Sequence, residues 1–322
     1  MCPTAAHVLP SYAKPRLHIG FEGVIRLNGV FGGRQRVLIY LMMVPGIIVF
    51  LAFGIVPSVA SLVISFTNYL AIPGVPTQFV GWANYINLFV DNLQGLKQSL
   101  IDTLIFAGAV TIVQNLLGLW MAYALSKRFP AVKFLRTLVF LPAVLGVTVI
   151  GLMWSLLLTP SGGPGSAILG IFGTSSAFFG SNTWALPLVI LVQIWTNLGF
   201  TTVVYIAGLN AVPKDFREAA RLDGASEWTT FWRVTFPMIA PSVTVNLILA
   251  AAGSLRTYDL IYVLTDGVHN TNTLGMWMFN TAFQGSGNLG LGAAISIIQF
   301  VLTIIVVFAL QRFLARREEA IS

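Results

Sequence analysis

The sequence predicts an all-α integral membrane protein: six transmembrane helices with a cytoplasmic helix-turn-helix loop. Three observations carry that expectation. Hydrophobic residues make up 56% of the 322 residues and charged residues only 9%, against about 25% charged in an ordinary soluble domain. Mean hydropathy is +0.83. Six apolar runs, each near the ~20 residues that a bilayer demands, alternate with short polar stretches that hold most of the charge. The runs are continuous rather than alternating, which argues against a membrane β-barrel.

In chain order, residues 1–36 form a polar, basic tail ending in Gly32-Gly33-Arg34-Gln35-Arg36, with a short amphipathic stretch around Phe21 to Val30. The first apolar run, Val37 to Ile64, exceeds the length of a signal-peptide core and lacks a clear small-residue cleavage site, so it is expected to be retained as a span. Pro45 and Pro57 within it are tolerable where neighbouring groups satisfy the freed backbone. The next runs are Ser99 to Leu125, Phe134 to Leu158, Trp184 to Leu209, Met238 to Leu264 and Leu289 to Phe313. Residues 37–313 are thus read as the transmembrane domain, and 314–322 as a cytoplasmic C-terminal tail. Trp82, Tyr85 and Phe89 in the first outer loop suit the headgroup level. Thr159 to Gly165, rich in Gly, Ser and Pro, is expected to be a flexible connection.

Orientation follows from the basic residues. The N-terminal tail, the second loop, the fourth loop and the C-terminus hold sixteen of the eighteen Lys and Arg residues. Both termini and the fourth loop are therefore expected in the cytoplasm. The net charge of +7 reflects this topology and contact with anionic lipid, not nucleic acid. Cys2 is the only cysteine, and His7, His18 and His269 are scattered, so no metal site is expected. No Gly-x-x-x-x-Gly-Lys-Ser/Thr phosphate loop occurs, and neither catalytic residues nor a bound cofactor are expected on this chain.

The fourth loop, 211–237, is the most charged part of the second half. Four basic residues (Lys214, Arg217, Arg221, Arg233) accompany four acidic ones (Asp215, Glu218, Asp223, Glu227). Pro213 suits a helix start, and Asp215 and Glu218 favour the positive end of the helix dipole. Gly224 suits the left-handed turn that ends a helix, and Ser226 suits the cap of the next. Trp228, Phe231 and Trp232 fall at helical spacing on one apolar face, and Pro237 is expected to stop that second helix. Physics alone leaves two readings open, a polar connector and a docking surface.

Polar residues within apolar runs are costly unless they face a cavity or partner. In the fourth run Gln193, Asn197 and Phe200 lie at i, i+4 and i+7. In the fifth, Ser254 and Thr257 lie at i and i+3. Amides and hydroxyls beside aromatic rings suit a neutral polyol, and they equally suit interhelical hydrogen bonding. Arg256 and Asp259, three apart, are expected to form a structural ion pair in preference to a cargo site.

Glu218-Ala219-Ala220, Asp223-Gly224-Ala225, Phe231 and Pro237 are similar, position for position, to the cytoplasmic loop of binding-protein-dependent ABC importer permeases. The run from Arg256 to Gly267, with Tyr258-Asp259 before Ile261-Tyr262, resembles the fifth helix of the sugar-importer branch, and Val268-His269 departs from that branch's glycine-proline pattern. The resemblance covers about Val37 to the C-terminus and is nearest to the first permease subunit of maltose- and glycerol-phosphate-type systems. It implies a permease subunit in the cytoplasmic membrane of a bacterium or archaeon, importing a sugar or related polyol by alternating access. It further implies a second homologous permease, two ATP-binding cassette subunits that hold ATP and Mg, and an extracytoplasmic substrate-binding protein. Under it, the 218–225 segment, Phe231 and Pro237 form the coupling element, and Gln193, Asn197, Phe200, Ser254 and Thr257 lie at or beside cargo positions.

Two rivals differ in what they require. An ion-gradient-driven secondary transporter wants a relay of intramembrane acids, and the spans offer only Asp259 and Asp102. A membrane enzyme wants clustered His, Asp or Glu near the interface, which the sequence lacks. The topology is testable with Cys2 removed. A cysteine at Ser161 is expected to react with an impermeant thiol reagent from outside, and one at Ser226 only from inside; labelling of Ser226 from outside overturns the orientation.

Overall fold

The computed structural model describes residues 33–319 apart from 73, 128, 129 and 286, without the side chains of 33–39 and 317–319. The amphipathic stretch near Phe21, together with Cys2, His7 and His18, lies outside the described residues. The chain divides at Pro57 into two compact units.

The first unit consists of α1 (Gly33–Phe50) and a π-helical turn, Leu51–Ile55. Residues 33–36, assigned to the tail from sequence, are therefore already helical. The helix passes through Pro45 and continues into α2 (Val56–Ile64), and Tyr40–Ile64 is long and apolar enough to cross a membrane. Pro57 has no amide hydrogen to offer a carbonyl four residues back, which accounts for the widened turn before it.

The second unit is helical throughout its described length, apart from turns and two isolated antiparallel bridges, Thr67–Phe79 and Leu70–Asn288. After the short α3 (Ala83–Ile86) comes α4 (Leu93–Ser126), then α5 (Val132–Phe140), α6 (Val147–Leu157), α7 (Pro164–Ile171) and α8 (Ala185–Ala211). The charged stretch forms α9 (Lys214–Leu222), α10 (Glu227–Thr230) and α11 (Phe236–Met238), and the chain ends in α12 (Ala240–Leu255), α13 (Asp259–Thr265), α14 (Leu274–Phe283) and α15 (Leu289–Glu319).

Four helices are long and apolar enough to span a membrane, or up to six if each of two bent pairs is one span. Two of the six apolar runs are bent and interrupted rather than single helices. The Phe134–Leu158 run turns by 101° between Val144 and Val147. Pro142 sits in the 3₁₀ turn Leu141–Val144, and Leu145 and Gly146 are extended, so the helical ladder is interrupted there. The Met238–Leu264 run is likewise not one helix. It bends by 70° at Ile239, breaks again after Leu255, and restarts at Asp259. Pro237 does not stop its helix at once: Glu227–Met238 runs one residue beyond it, and the π-helical turn Phe231–Thr235 widens the ladder just before it. Pro241, in the first turn of α12, occupies the corresponding place just beyond the bend.

Two connections are more ordered than their composition suggests. Pro164 starts α7 inside the expected flexible stretch. In the last connection, α14 is buried at Leu274 and Met276, and the Leu274 amide donates to Thr103 Oγ1 at 2.9 Å. In the first connection Trp82 and Phe89 are exposed, whereas the Tyr85 hydroxyl bonds Ser65 Oγ at 2.8 Å, so Tyr85 ties the loop to the helix end. The last helix runs six residues beyond Phe313, into what was read as a tail.

The core centres on α8, packed between α4, α12 and the α5–α6 elbow. One buried cluster holds Phe106, Ile150, Val189, Val192 and Ile261; another holds Ala122, Tyr205, Leu209, Phe231 and Ile239. Gly199 lets α8 touch the elbow backbone. A Cβ there would stand 2.6 Å from the Val139 carbonyl oxygen and 2.7 Å from Phe140 Cα. Gly199→Val is accordingly expected to lower thermal stability in detergent by about 1–3 kcal/mol or rearrange the elbow. Gly108→Ala, facing open space, is expected to be neutral or stabilising by up to ~1 kcal/mol. Equal midpoints for Gly199→Val and wild type would rule out this close contact.

Candidate functional site

Two cavities lie between α8 and the broken α12–α13 helix. The larger, about 370 Å³, is lined by Gln193, Thr196, Asn197, Arg256, Thr257, Tyr258 and Asp259 among others. The smaller, about 160 Å³, is lined by Gln114, Asn197, Phe200, Asn246 and Ser254 among others. They share Gln193, Asn197 and Gly253. The structure thus brings Gln193, Asn197, Phe200, Ser254 and Thr257 around two adjoining spaces, because the two helical stripes face each other.

Their hydrogen bonds define what they can offer. Asn197 Nδ2 donates to the Gln193 carbonyl at 3.0 Å, Ser254 Oγ to the Ala250 carbonyl at 2.7 Å, and Thr257 Oγ1 to the Gly253 carbonyl at 3.2 Å. Each hydroxyl hydrogen is therefore committed to its own helix, while its oxygen still has acceptor capacity. Ser254 and Thr257 are buried, whereas Phe200 is exposed. A ligand in the larger cavity meets the exposed Arg256 and Asp259 as well as the half-buried amides of Gln193 and Asn197, with the Ser254 and Thr257 hydroxyls more deeply buried around the two spaces.

Sequence reasoning passed over Gln114 and Asn246. Gln114 Nε2 donates to Thr201 Oγ1 at 2.7 Å, and Asn246 Nδ2 to the Thr201 carbonyl at 3.3 Å. Their signal was available, since Gln114 (beside Asn115) and Asn246 are amides in apolar runs. The expected Arg256–Asp259 ion pair is not formed. The helix ends at Leu255, so the i, i+3 relation is lost. Arg256 Nε donates to the Ala252 carbonyl at 3.1 Å, and Asp259 Oδ1 accepts from the Leu260 amide at 2.9 Å. Both residues instead line the larger cavity.

At one end of the unit, residues 213–238 form the helix-turn-helix. Pro213 caps α9, Gly224 has φ +79°, and Ser226 Oγ accepts from the Thr229 amide at 3.2 Å. Glu218 and Ala219 are exposed, Ala220 and Ala225 half-buried, and Asp223 and Gly224 exposed at the turn. The expected single apolar face divides. Phe231 is buried, its ring centroid 4.7 Å from that of Tyr123, while Trp228 is 70% exposed. Leu222 is 90% exposed. Phe231–Thr235 forms a π-helical turn, and Pro237 follows in α11. Glu227 holds Lys127 at 3.2 Å and Arg221 at 3.1 Å. The hydrogen bond that Lys127 donates to Glu227, reinforced by the neighbouring Tyr123, raises the Lys127 pKa above the ordinary lysine value. All three side chains are largely exposed, so these pairs orient the loop more than they stabilise it.

A bundle of apolar helices that encloses polar cavities along its broken helices, with an ionic helical elbow at one end, defines the membrane-spanning subunit of a transporter. The chain belongs to the family of binding-protein-dependent transport system inner membrane components, matched over residues 114–319. It is similar to the trehalose/maltose transport system permease protein MalF of Thermococcus litoralis, 33% identical over 273 residues, covering 84% of this chain and 91% of that protein. It is also similar to the trehalose transport system permease protein SugA of Mycobacterium tuberculosis, 29% identical over 275 residues, covering 85% and 87%. A chain in the crystal structure of a bacterial alginate ABC transporter, in complex with an alginate pentasaccharide-bound periplasmic protein, shares the fold with a TM-score of 0.78. Its identity is 22%, covering 88% of this chain and 96% of that one. The protein is therefore a multi-pass permease subunit of a binding-protein-dependent importer, and these relatives lend no support to an ion-gradient-driven carrier.

Proposed function

We propose that this permease carries a sugar or related polyol through the Gln193–Asn197 cavities, using a coupling element at 218–237 to receive the motion of separate ATPase subunits. The observation that carries the cargo reading is the pair of adjoining cavities sharing Gln193 and Asn197. Amides bond sugar hydroxyls in both directions, and Phe200 and Tyr258 supply ring faces for the apolar side of a pyranose. The named cargoes of the similar permeases, trehalose and maltose, agree with that chemistry.

In this reading the six apolar runs cross the membrane as six spans, the two bent pairs counting as one each. Both termini and the 211–237 loop face the cytoplasm. A second homologous permease completes the pathway. Two ATP-binding cassette subunits hold ATP and Mg, and an extracytoplasmic binding protein delivers the cargo. Exposed Glu218, Leu222 and Trp228 give the elbow the mixed ionic and apolar surface that suits a protein partner. Gly224 sets its angle, and Phe231 anchors it to α4 through Tyr123.

The cargo reading is tested by uptake. Asn197→Leu and Ser254→Val are expected to weaken transport roughly two- to ten-fold each, the equivalent of one hydrogen bond of ~0.5–1.5 kcal/mol, with complex assembly retained. Normal uptake kinetics in the double variant would remove this site from the pathway.

The coupling reading is tested by ATP hydrolysis in the reconstituted complex. Gly224→Val imposes about 1 kcal/mol or more at a positive φ, and Glu218→Lys reverses an exposed charge. Both are expected to insert normally yet lose stimulation by the binding protein. Full stimulation and uptake in both would reduce the loop to a connector.

A further inference from the structure

A third cavity, about 530 Å³, lies where α4 and α8 end against the charged elbow. Its chemistry is the reverse of the neutral cavities. Lys127, Arg217 and Arg221 line it with the single carboxylate Glu227, so three cations and one anion leave a formal charge of +2. Glu227 takes one hydrogen bond from Lys127 Nζ and one from Arg221 Nη2. An ammonium has three donors and a guanidinium five, so both cations keep N–H groups to spare.

Two further donors lack acceptors. Arg217 Nη2 donates to the Val212 carbonyl at 3.3 Å, but its Nε–H is buried with no partner. Thr230, only 6% exposed, lines the same cavity, and its hydroxyl has no partner either. Buried donors without acceptors are costly, and buried polar groups in native proteins are rarely left so. Both belong to the wall of one cationic cavity.

A ligand that answers the formal charge of this lining and its free donors is acceptor-rich, negatively charged and able to meet donors from several directions. A carboxylate offers two oxygens. A phosphate group offers three or more, and it matches guanidinium geometry. We propose that this cavity is a binding site for a phosphate-type anion, either a free phosphate compound or the headgroup of an anionic lipid. Bound there, the anion joins the end of α4 through Lys127, α9 through Arg217 and Arg221, and α10 through Thr230. It thereby holds the elbow against the spans. The inference rests on this cavity alone and stands apart from the cargo reading.

The test uses the full chain in phosphatidylcholine nanodiscs. Binding of inorganic phosphate is measured by equilibrium dialysis with radiolabelled phosphate, against chloride at matched ionic strength. A parallel arm compares thermal midpoints in discs of phosphatidylcholine and of phosphatidylglycerol. Arg217→Gln is expected to weaken phosphate binding on the order of ten-fold or more, since it removes a charge-assisted contact. Thr230→Val is expected to weaken it several-fold and Thr230→Ser to restore it. Midpoints without phosphate show whether each variant is folded, and if Arg217→Gln is not, the Thr230 pair carries the test. Phosphate binding that the variants lose supports a free anion. A phosphatidylglycerol-dependent rise in midpoint that the variants lose, without phosphate binding, supports the lipid headgroup. No response to either probe, or a response that Arg217→Gln and Thr230→Val leave unchanged, overturns the site.

Discussion

The close seam between α4 and α8 is the constraint on which the second unit depends. Gly118 admits Thr201 so closely that a Cβ on the glycine would stand 2.6 Å from Thr201 Cγ2. Along the same seam Gln114 bonds Thr201, the Tyr205 hydroxyl donates to Asn115 Oδ1 at 2.8 Å, and Asn246 reaches across from α12 to the Thr201 carbonyl. In an apolar surrounding no water competes for these groups, so each must find its partner inside the protein. Small residues bring the helices close, and the polar groups then fix their register.

That seam separates two kinds of space. On one side α8 and the broken α12–α13 helix leave the neutral cavities around Gln193 and Asn197. On the other, the ends of α4 and α8 meet the elbow and leave the cationic one. The difference follows from where the charges sit: in the larger neutral cavity Arg256 and Asp259 offset each other, whereas the elbow brings three cations to one carboxylate. Mid-helix positions in apolar runs carry amides and hydroxyls, which lose less on burial than charges do. Lysines and arginines gather where the helices end.

The breaks in the helices matter as much as the helices. At Ile239 a bend of 70° turns the elbow into α12, the helix that carries Ser254. At Leu255 the same chain breaks again, and Tyr258 and Asp259 turn toward the cavity that Asn197 lines. Phe231, buried against Tyr123 within the π-helical turn, keeps the elbow in contact with α4. The elbow and the cavities are therefore linked through α12 without a long-range interaction being required.

The sequence by itself determined the class, the positions of the apolar runs, and the helix, glycine turn and capped helix of the elbow. Those are local properties: hydropathy over ~20 residues, a glycine free to take positive φ, and a serine that caps its own helix. It also placed Gln193, Asn197, Phe200, Ser254 and Thr257 on two stripes, because helical periodicity is set by the backbone. It did not determine the 101° elbow in the third run, the break after Leu255, the burial of α14, or the parting of Arg256 from Asp259. A proline can be carried within a continuing helix, as Pro45 is, or can flank a bend, as Pro237 and Pro241 do on either side of Ile239. Which of these happens depends on which neighbouring helix fills the space and satisfies the freed carbonyl. Only the tertiary structure decides that, because the partners come from residues distant in the chain.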